Sequence, residues 1–127
     1  MRKTVSQVLG NFQAGLTETL LKLQEFLDDR NVETLKEAVN MMGSLAIIYR
    51  VEFAEISHSV LPGTVYEASV MMSERIAKIE ENGLAEADVE YVREIYELFR
   101  FIADKIETGE YEAELNKMRE KRGASQN

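Results

Sequence analysis

The chain contains no cysteine. A disulfide-stapled scaffold is therefore excluded, and with it thiolate metal sites and cysteine nucleophiles. The same absence fits a reducing compartment, and the expected location is the cytoplasm. There is a single histidine, His58. A metal centre that draws two histidines from one chain cannot form. There is a single proline, Pro62, so the chain has only one strong interruption. No apolar run approaches the roughly 18 residues of a membrane span, and no membrane contact is expected. The start, Met1-Arg2-Lys3-Thr4, leads into no signal-peptide apolar core. Cations are in the minority: 15 Lys and Arg face 23 Asp and Glu, a net charge of -8. Broad non-specific nucleic-acid binding needs a positive field and is not expected of such a chain, although a local basic patch remains compatible with it.

What is present is a dense helical pattern. Apolar residues make up 45% of the 127 positions, enough to exclude a disordered chain. The length fits one domain, expected over residues 1–122, with 123–127 as a disordered tail. No stretch alternates apolar and polar residues for long enough to predict a strand. Thr4 with Gln7 forms a capping-box pattern and opens a helix predicted from Val5 to Asp28. Its stripe is Val5, Leu9, Phe12, Leu16, Thr19, Leu23 and Phe26, spaced by alternate threes and fours. After a polar break, Asn31 caps a second helix predicted from Val32 to Ser59. Its segment Leu45 to Phe53 is apolar on nearly all sides and reads as the most buried part of the chain. Leu61-Pro62-Gly63 reads as a terminator, followed by a second capping box, Thr64 with Glu67. A third helix is predicted from Val65 to Glu81, closed by Asn82-Gly83. A fourth runs from Glu86 to Glu107, with Val89, Val92, Tyr96, Phe99, Ala103 and Ile106 inward. The last segment, Glu110 to Arg122, has a thin stripe of Tyr111, Leu115 and Met118. The fold class is all-α: an antiparallel bundle of four long helices plus a short C-terminal helix.

Several constellations bear on chemistry. Glu55-Ile-Ser-His58 is an E-x-x-H, which ferritin-like di-iron bundles use to hold metal from one helix face. Glu52 extends that face, and a two-fold dimer could bring in a second histidine. The first helix offers no glutamate at that end, so a helix-end histidine is the simpler reading. Glu52/Glu55 and Glu94/Glu97 give the E-x-x-E of all-helical pyrophosphohydrolases, but the only E-x-x-D, Glu25/Asp28, lies on the wrong helix and in the wrong order. Arg50 and His58 are too far out of phase for the Arg–His pair of small helical ribonucleases. No phosphate loop, Ser-His-Asp set or zinc motif is present, and neither a catalytic residue nor a cofactor is assigned.

The remaining signals point to contact with other molecules. Arg50 lies within the most apolar stretch and Arg100 between two phenylalanines. Buried or half-buried arginines pair with carboxylates or snorkel, and an exposed one can reach a phosphate. Lys117-Met-Arg-Glu-Lys-Arg122 is the only basic cluster. Its residues can touch a phosphate backbone or complement the helix dipole. Met41-Met42 and Met71-Met72 are two pairs of which only one member each fits a core stripe, so Met41 and Met71 are candidates for a partner surface. Ile47, Val51, Val70 and Phe101 fall outside the main stripes too. The chain has more apolar surface than four helices need, which favours self-association or a partner.

The stretch from Leu45 to Ile79, with Tyr49-Arg50, Phe53-Ala-Glu-Ile56, Val65-Tyr-Glu-Ala68 and Arg75-Ile76, resembles the small helical subunit of archaeal type I-A CRISPR surveillance complexes. The resemblance covers the middle third of the chain. It implies a non-catalytic assembly subunit, present in several copies among other protein subunits, that helps hold crRNA and target DNA. Under that resemblance the nucleic-acid contacts fall to Arg50, Arg75, Lys78, Lys117, Arg119, Lys121 and Arg122. The departure is charge: a surface tracking nucleic acid carries a basic stripe, and here the cations are scattered or terminal. Two other readings stand beside it. One is a helical homo-oligomerisation or protein-binding adaptor module. The other is a metal-binding bundle using Glu52, Glu55 and His58 across a dimer.

Overall fold

Thr4 sets the first helix. In the computed structural model, which describes residues 4–56 and 61–126 and the side chains of 4–53 and 61–121, its Oγ1 accepts the Gln7 backbone N–H at 3.1 Å. Gln7 Oε1 in turn accepts the Thr4 N–H at 2.9 Å. Both are backbone donors that a helix start leaves without intrahelical partners. The helix, α1, spans Val5–Asp29 and buries the expected stripe, with Phe12, Leu16, Leu23 and Phe26 fully enclosed. Arg30 ends it in the left-handed region at φ 57° and donates its N–H to the Phe26 carbonyl. Asn31 Oδ1 then accepts the Glu33 N–H at 2.9 Å and starts α2, Val32–Ile56.

The third helix, α3, spans Leu61–Asn82 and so begins four residues before the expected Val65. Thr64 and Glu67 lie inside it and form no cap at its start. The physical reason is that proline is tolerated in a first helical turn, where its missing N–H has no intrahelical acceptor to lose. Leu61 and Pro62 are buried there. Gly83 closes α3 at φ 87°, donating its N–H to the Ile79 carbonyl. That backbone conformation is one an L side chain adopts only with strain. The fourth helix, α4, spans Glu86–Glu107, and α5 spans Glu110–Gln126 after a second left-handed glycine, Gly109. Thus α5 continues past Arg122, where the sequence pattern stops. No strand occurs among the described residues.

The four long helices run up, down, up, down. Ion pairs and hydrogen bonds mark the seams. Lys22 late in α1 meets Glu37 early in α2 at 2.9 Å. Lys36 early in α2 meets Glu80 late in α3 at 2.6 Å. Arg75 late in α3 meets Asp88 early in α4 at 2.8 Å. Gln13 Nε2 donates to the Ala103 carbonyl across the α1–α4 seam at 3.2 Å. α2 therefore packs along both α1 and α3, while α4 packs chiefly along α1. α5 crosses α1, α2 and α4, anchored by buried Leu115. One mixed core fills the interior, where Phe12 meets Phe53 edge-on at 5.2 Å between ring centres and Tyr49 at 5.8 Å.

Candidate interaction surface

The outward face of α2 changes character along its length. Its first turns carry Glu33, Lys36 and Glu37, which are charged and tied into ion pairs. From Ala38 to Tyr49 there is no charged residue at all. One side of that stretch, with Ala38, Met42, Leu45 and Ala46, enters the core. The opposite side leaves Ile47, Ile48 and Val51 exposed at 67%, 63% and 65%. This corrects the reading of Leu45 to Phe53 as the most buried segment. The bundle covers α2 where it meets α1, α3 and α5, and leaves the side that carries Ile47, Ile48 and Val51 open among the described residues.

The apolar surface extends over both neighbouring helices. Lys36 and Ile47 are three turns apart on α2, so Ile47 lies on the same side as the ion pair to Glu80 of α3. On antiparallel α3 the matching distance back from Glu80 brings buried Ser69, and next to it on the outer side Val70, with Tyr66 one turn further. Val70 and Tyr66 are exposed at 40% and 51%. On the other flank, an open groove of about 550 Å³ runs along the α1–α2 seam. Asn11, Gly15, Asn40, Met41, Ser44 and Ile48 are among its lining residues. Its floor is set by Gly15. A Cβ built there would lie 2.6 Å from Leu45 Cδ1, so the Leu45 side chain packs into the space that a larger residue at position 15 would need. Past Met41 the surface reaches Leu21, exposed at 66%. The methionine pairs divide as the sequence predicts. Met42 and Met72 are fully buried, Met41 is half-buried in the groove and Met71 is exposed.

The cations assigned from the resemblance are spread over three helices. Arg50 sits on α2 and is exposed, not buried in its apolar stretch; Arg100 on α4 is exposed as well. Arg75 is engaged in the bundle. Its guanidinium pairs with Asp88 and lies 4.1 Å over the Tyr91 ring. Lys78, one turn on, is exposed. On α5, Lys117 and Lys121 are exposed one turn apart, whereas Arg119 is half-buried on the opposite side. Glu110 and Glu114 share the Lys117 side, so that face mixes both signs. The Arg122 side chain lies outside the described ones.

The Arg75–Asp88 pair is a feature that charge counting missed. Asp88 also accepts the Ala85 N–H at 2.9 Å at the start of α4. That backbone donor above all holds the Asp88 carboxyl below the usual carboxylate range; burial opposes it, and the Arg75 guanidinium adds to the lowering. Glu37 and Glu25 beside Lys22, and Glu80 and Glu33 beside Lys36, hold those ammonium groups charged to higher pH. These groups tie the helix seams together.

The Glu55 side chain and His58 lie outside the described residues. Among the described residues, no group of three or more His, Asp or Glu is placed to hold a metal ion. Glu94 and Glu97 are both exposed. No described helix is long and apolar enough to cross a membrane. Comparison with protein-family models, curated proteins and solved structures finds no match to this chain.

Proposed function

We propose that this chain is a non-catalytic helical assembly subunit that joins other protein subunits through the apolar face of α2. One observation carries the reading. Three large aliphatic side chains, Ile47, Ile48 and Val51, stand about two-thirds exposed together on one face of α2. Together with Tyr66, Val70 and Leu21 they expose on the order of 700 Å², above the few hundred Å² of the largest apolar patch on a typical monomer. Each exposed apolar group gains on leaving water, so the face is a standing drive for association.

The sharper form of the reading is the small subunit of an RNA-guided effector complex of the CRISPR type I-A kind. There the protein contacts run through α2, and crRNA or target DNA meets Arg50, Lys78, Lys117 and Lys121. What supports it is the exposure of these cations, with Arg50 at the edge of the apolar face. Capture of the tagged full chain from its own host, with analysis of both protein and nucleic acid, tests both forms. The expected eluate holds other protein subunits in fixed ratio to the chain, and for the sharper form Cas proteins and a crRNA. A chain recovered as a monomer, with neither other proteins nor further copies of itself, overturns the assembly reading. Protein partners without RNA overturn the sharper form only.

A further inference from the structure

We infer that the α2 face pairs with a second copy of this chain, the Ile47–Ile48–Val51 ridge of each copy seated in the α1–α2 groove of the other. The inference rests on the reading of that face as an assembly surface and names its occupant. Three observations select a second copy. First, a two-fold interface must be self-complementary, because the same patch serves both partners. Here a projecting ridge and a groove of about 550 Å³ lie side by side on one face, with Ile48 belonging to both. A two-fold axis running between them puts each ridge over the other groove. The groove's volume of about 550 Å³ has room for several aliphatic side chains.

Second, the charge permits it. Each copy carries -8, and two such surfaces repel wherever carboxylates meet. The run from Ala38 to Tyr49 has no charge of either sign, so two copies can meet there without placing like charges together. A partner chosen by charge would need complementary ions on this stretch; the charges near it are Glu18 in the groove lining, Lys22 and Glu25 beside Leu21, and Arg50 at the end of the run, and Lys22 is already paired with Glu25 and Glu37. Third, the area is sufficient. The ridge and groove, together with Leu21 on one flank and Tyr66 and Val70 on the other, approach the roughly 800 Å² that each partner of a standard interface contributes.

The test is the mass of the purified full chain by sedimentation equilibrium across a wide concentration range. The expected species has twice the 14.5 kDa of one chain. Ile48→Glu removes the ridge and Ser44→Arg fills the groove. Each raises the dimer dissociation constant about a hundredfold or more, the effect of losing a central contact. Both positions are exposed, so helical content stays at the wild-type level, and melting temperature matches wild type at dilutions where both chains are monomeric, which separates lost pairing from lost folding. Leu98→Glu, on the outer side of α4, leaves the dimer intact. A monomer at every concentration overturns self-pairing, while subunits captured from the host through the same face would leave the assembly reading standing. A dimer that survives both Ile48→Glu and Ser44→Arg overturns the assigned surface as well.

Discussion

Replacing Phe12 by alanine is expected to destabilise the protein by about 4 kcal/mol, the range for a fully buried aromatic side chain. Phe12 is completely enclosed and sits where α1 faces α2. Its ring meets those of Phe53 and Tyr49 edge-on, at 70° and 88° between planes. Truncation removes the transfer free energy of the ring, leaves a cavity between two helices and breaks both aromatic contacts. Helices this long cannot collapse into the gap without shifting every contact along the seam. Because a domain of this size is stable by only about 5–15 kcal/mol, the loss is a large share of the total. Urea denaturation followed by circular dichroism reads it as a lowered midpoint with an unchanged slope. Phe12→Leu retains most of the volume and is expected to lose about 1.5 kcal/mol or less. A loss below about 1 kcal/mol for Phe12→Ala would show that the α1–α2 seam is not the packed centre of the fold.

The second large effect is expected at Asp88. It joins α3 to α4, the neighbouring long helices that pack together least. Its carboxylate accepts from Arg75 at 2.8 Å and from the Ala85 N–H at 2.9 Å, and its side chain is only 13% exposed. Asp88→Ala leaves a helix-start N–H without its acceptor and Arg75 without its anion. The expected loss is about 2 kcal/mol, combining a cap with a partly shielded ion pair. The pH dependence follows from the sign of the shift. The folded carboxyl is held below its unfolded value of about 3.9, so the unfolded state binds the proton more readily. The stabilisation is complete above the unfolded value and is lost as pH falls through the lower folded value. Asp88→Asn keeps an acceptor for Ala85 but cannot titrate. It is expected to be less stable than wild type at neutral pH, with the gap closing as acid is added. A gap independent of pH down to the acid-unfolded state would mean that Asp88 acts by shape alone.

The bundle is legible where several local signals agree. α1 and α4 carry long, regular stripes, and Thr4, Asn31, Gly83 and Gly109 punctuate the chain by mechanisms that need no tertiary context. The α3 start was misread because Pro62-Gly63 carries two meanings. A proline ends a helix when its N–H is needed and begins one when it is not, and only the burial of Leu61 and Pro62 decides between them. The Leu45 to Phe53 segment is ambiguous for a related reason. A helix apolar all round is either enclosed by its own chain or held for another surface, and periodicity is the same in both cases. The outlying positions of Ile47 and Val51 already pointed to the second. The groove was not legible, because it depends on Gly15 of α1 lying opposite Leu45 of α2, a register that no local pattern reports. Nor was the tie between Arg75 and Asp88, which form across the Asn82-Gly83 turn and take one of the candidate phosphate-binding cations into the bundle.

The claim that the α2 face is the assembly surface is tested most directly by oxidative footprinting of the full chain, because reactive side chains mark the face and a control lies away from it. Met41 lines the groove, Tyr66 stands 51% exposed on the α3 flank, and Met118 stands 49% exposed on α5. Hydroxyl-radical labelling is compared between the chain in its native assembly and the chain released by Ile48→Glu. The account predicts that Met41 and Tyr66 are protected in the assembly and become reactive on release, while Met118 reacts equally in both. Equal reactivity of Met41 and Tyr66 in the two states, with protection elsewhere on the chain, would contradict it.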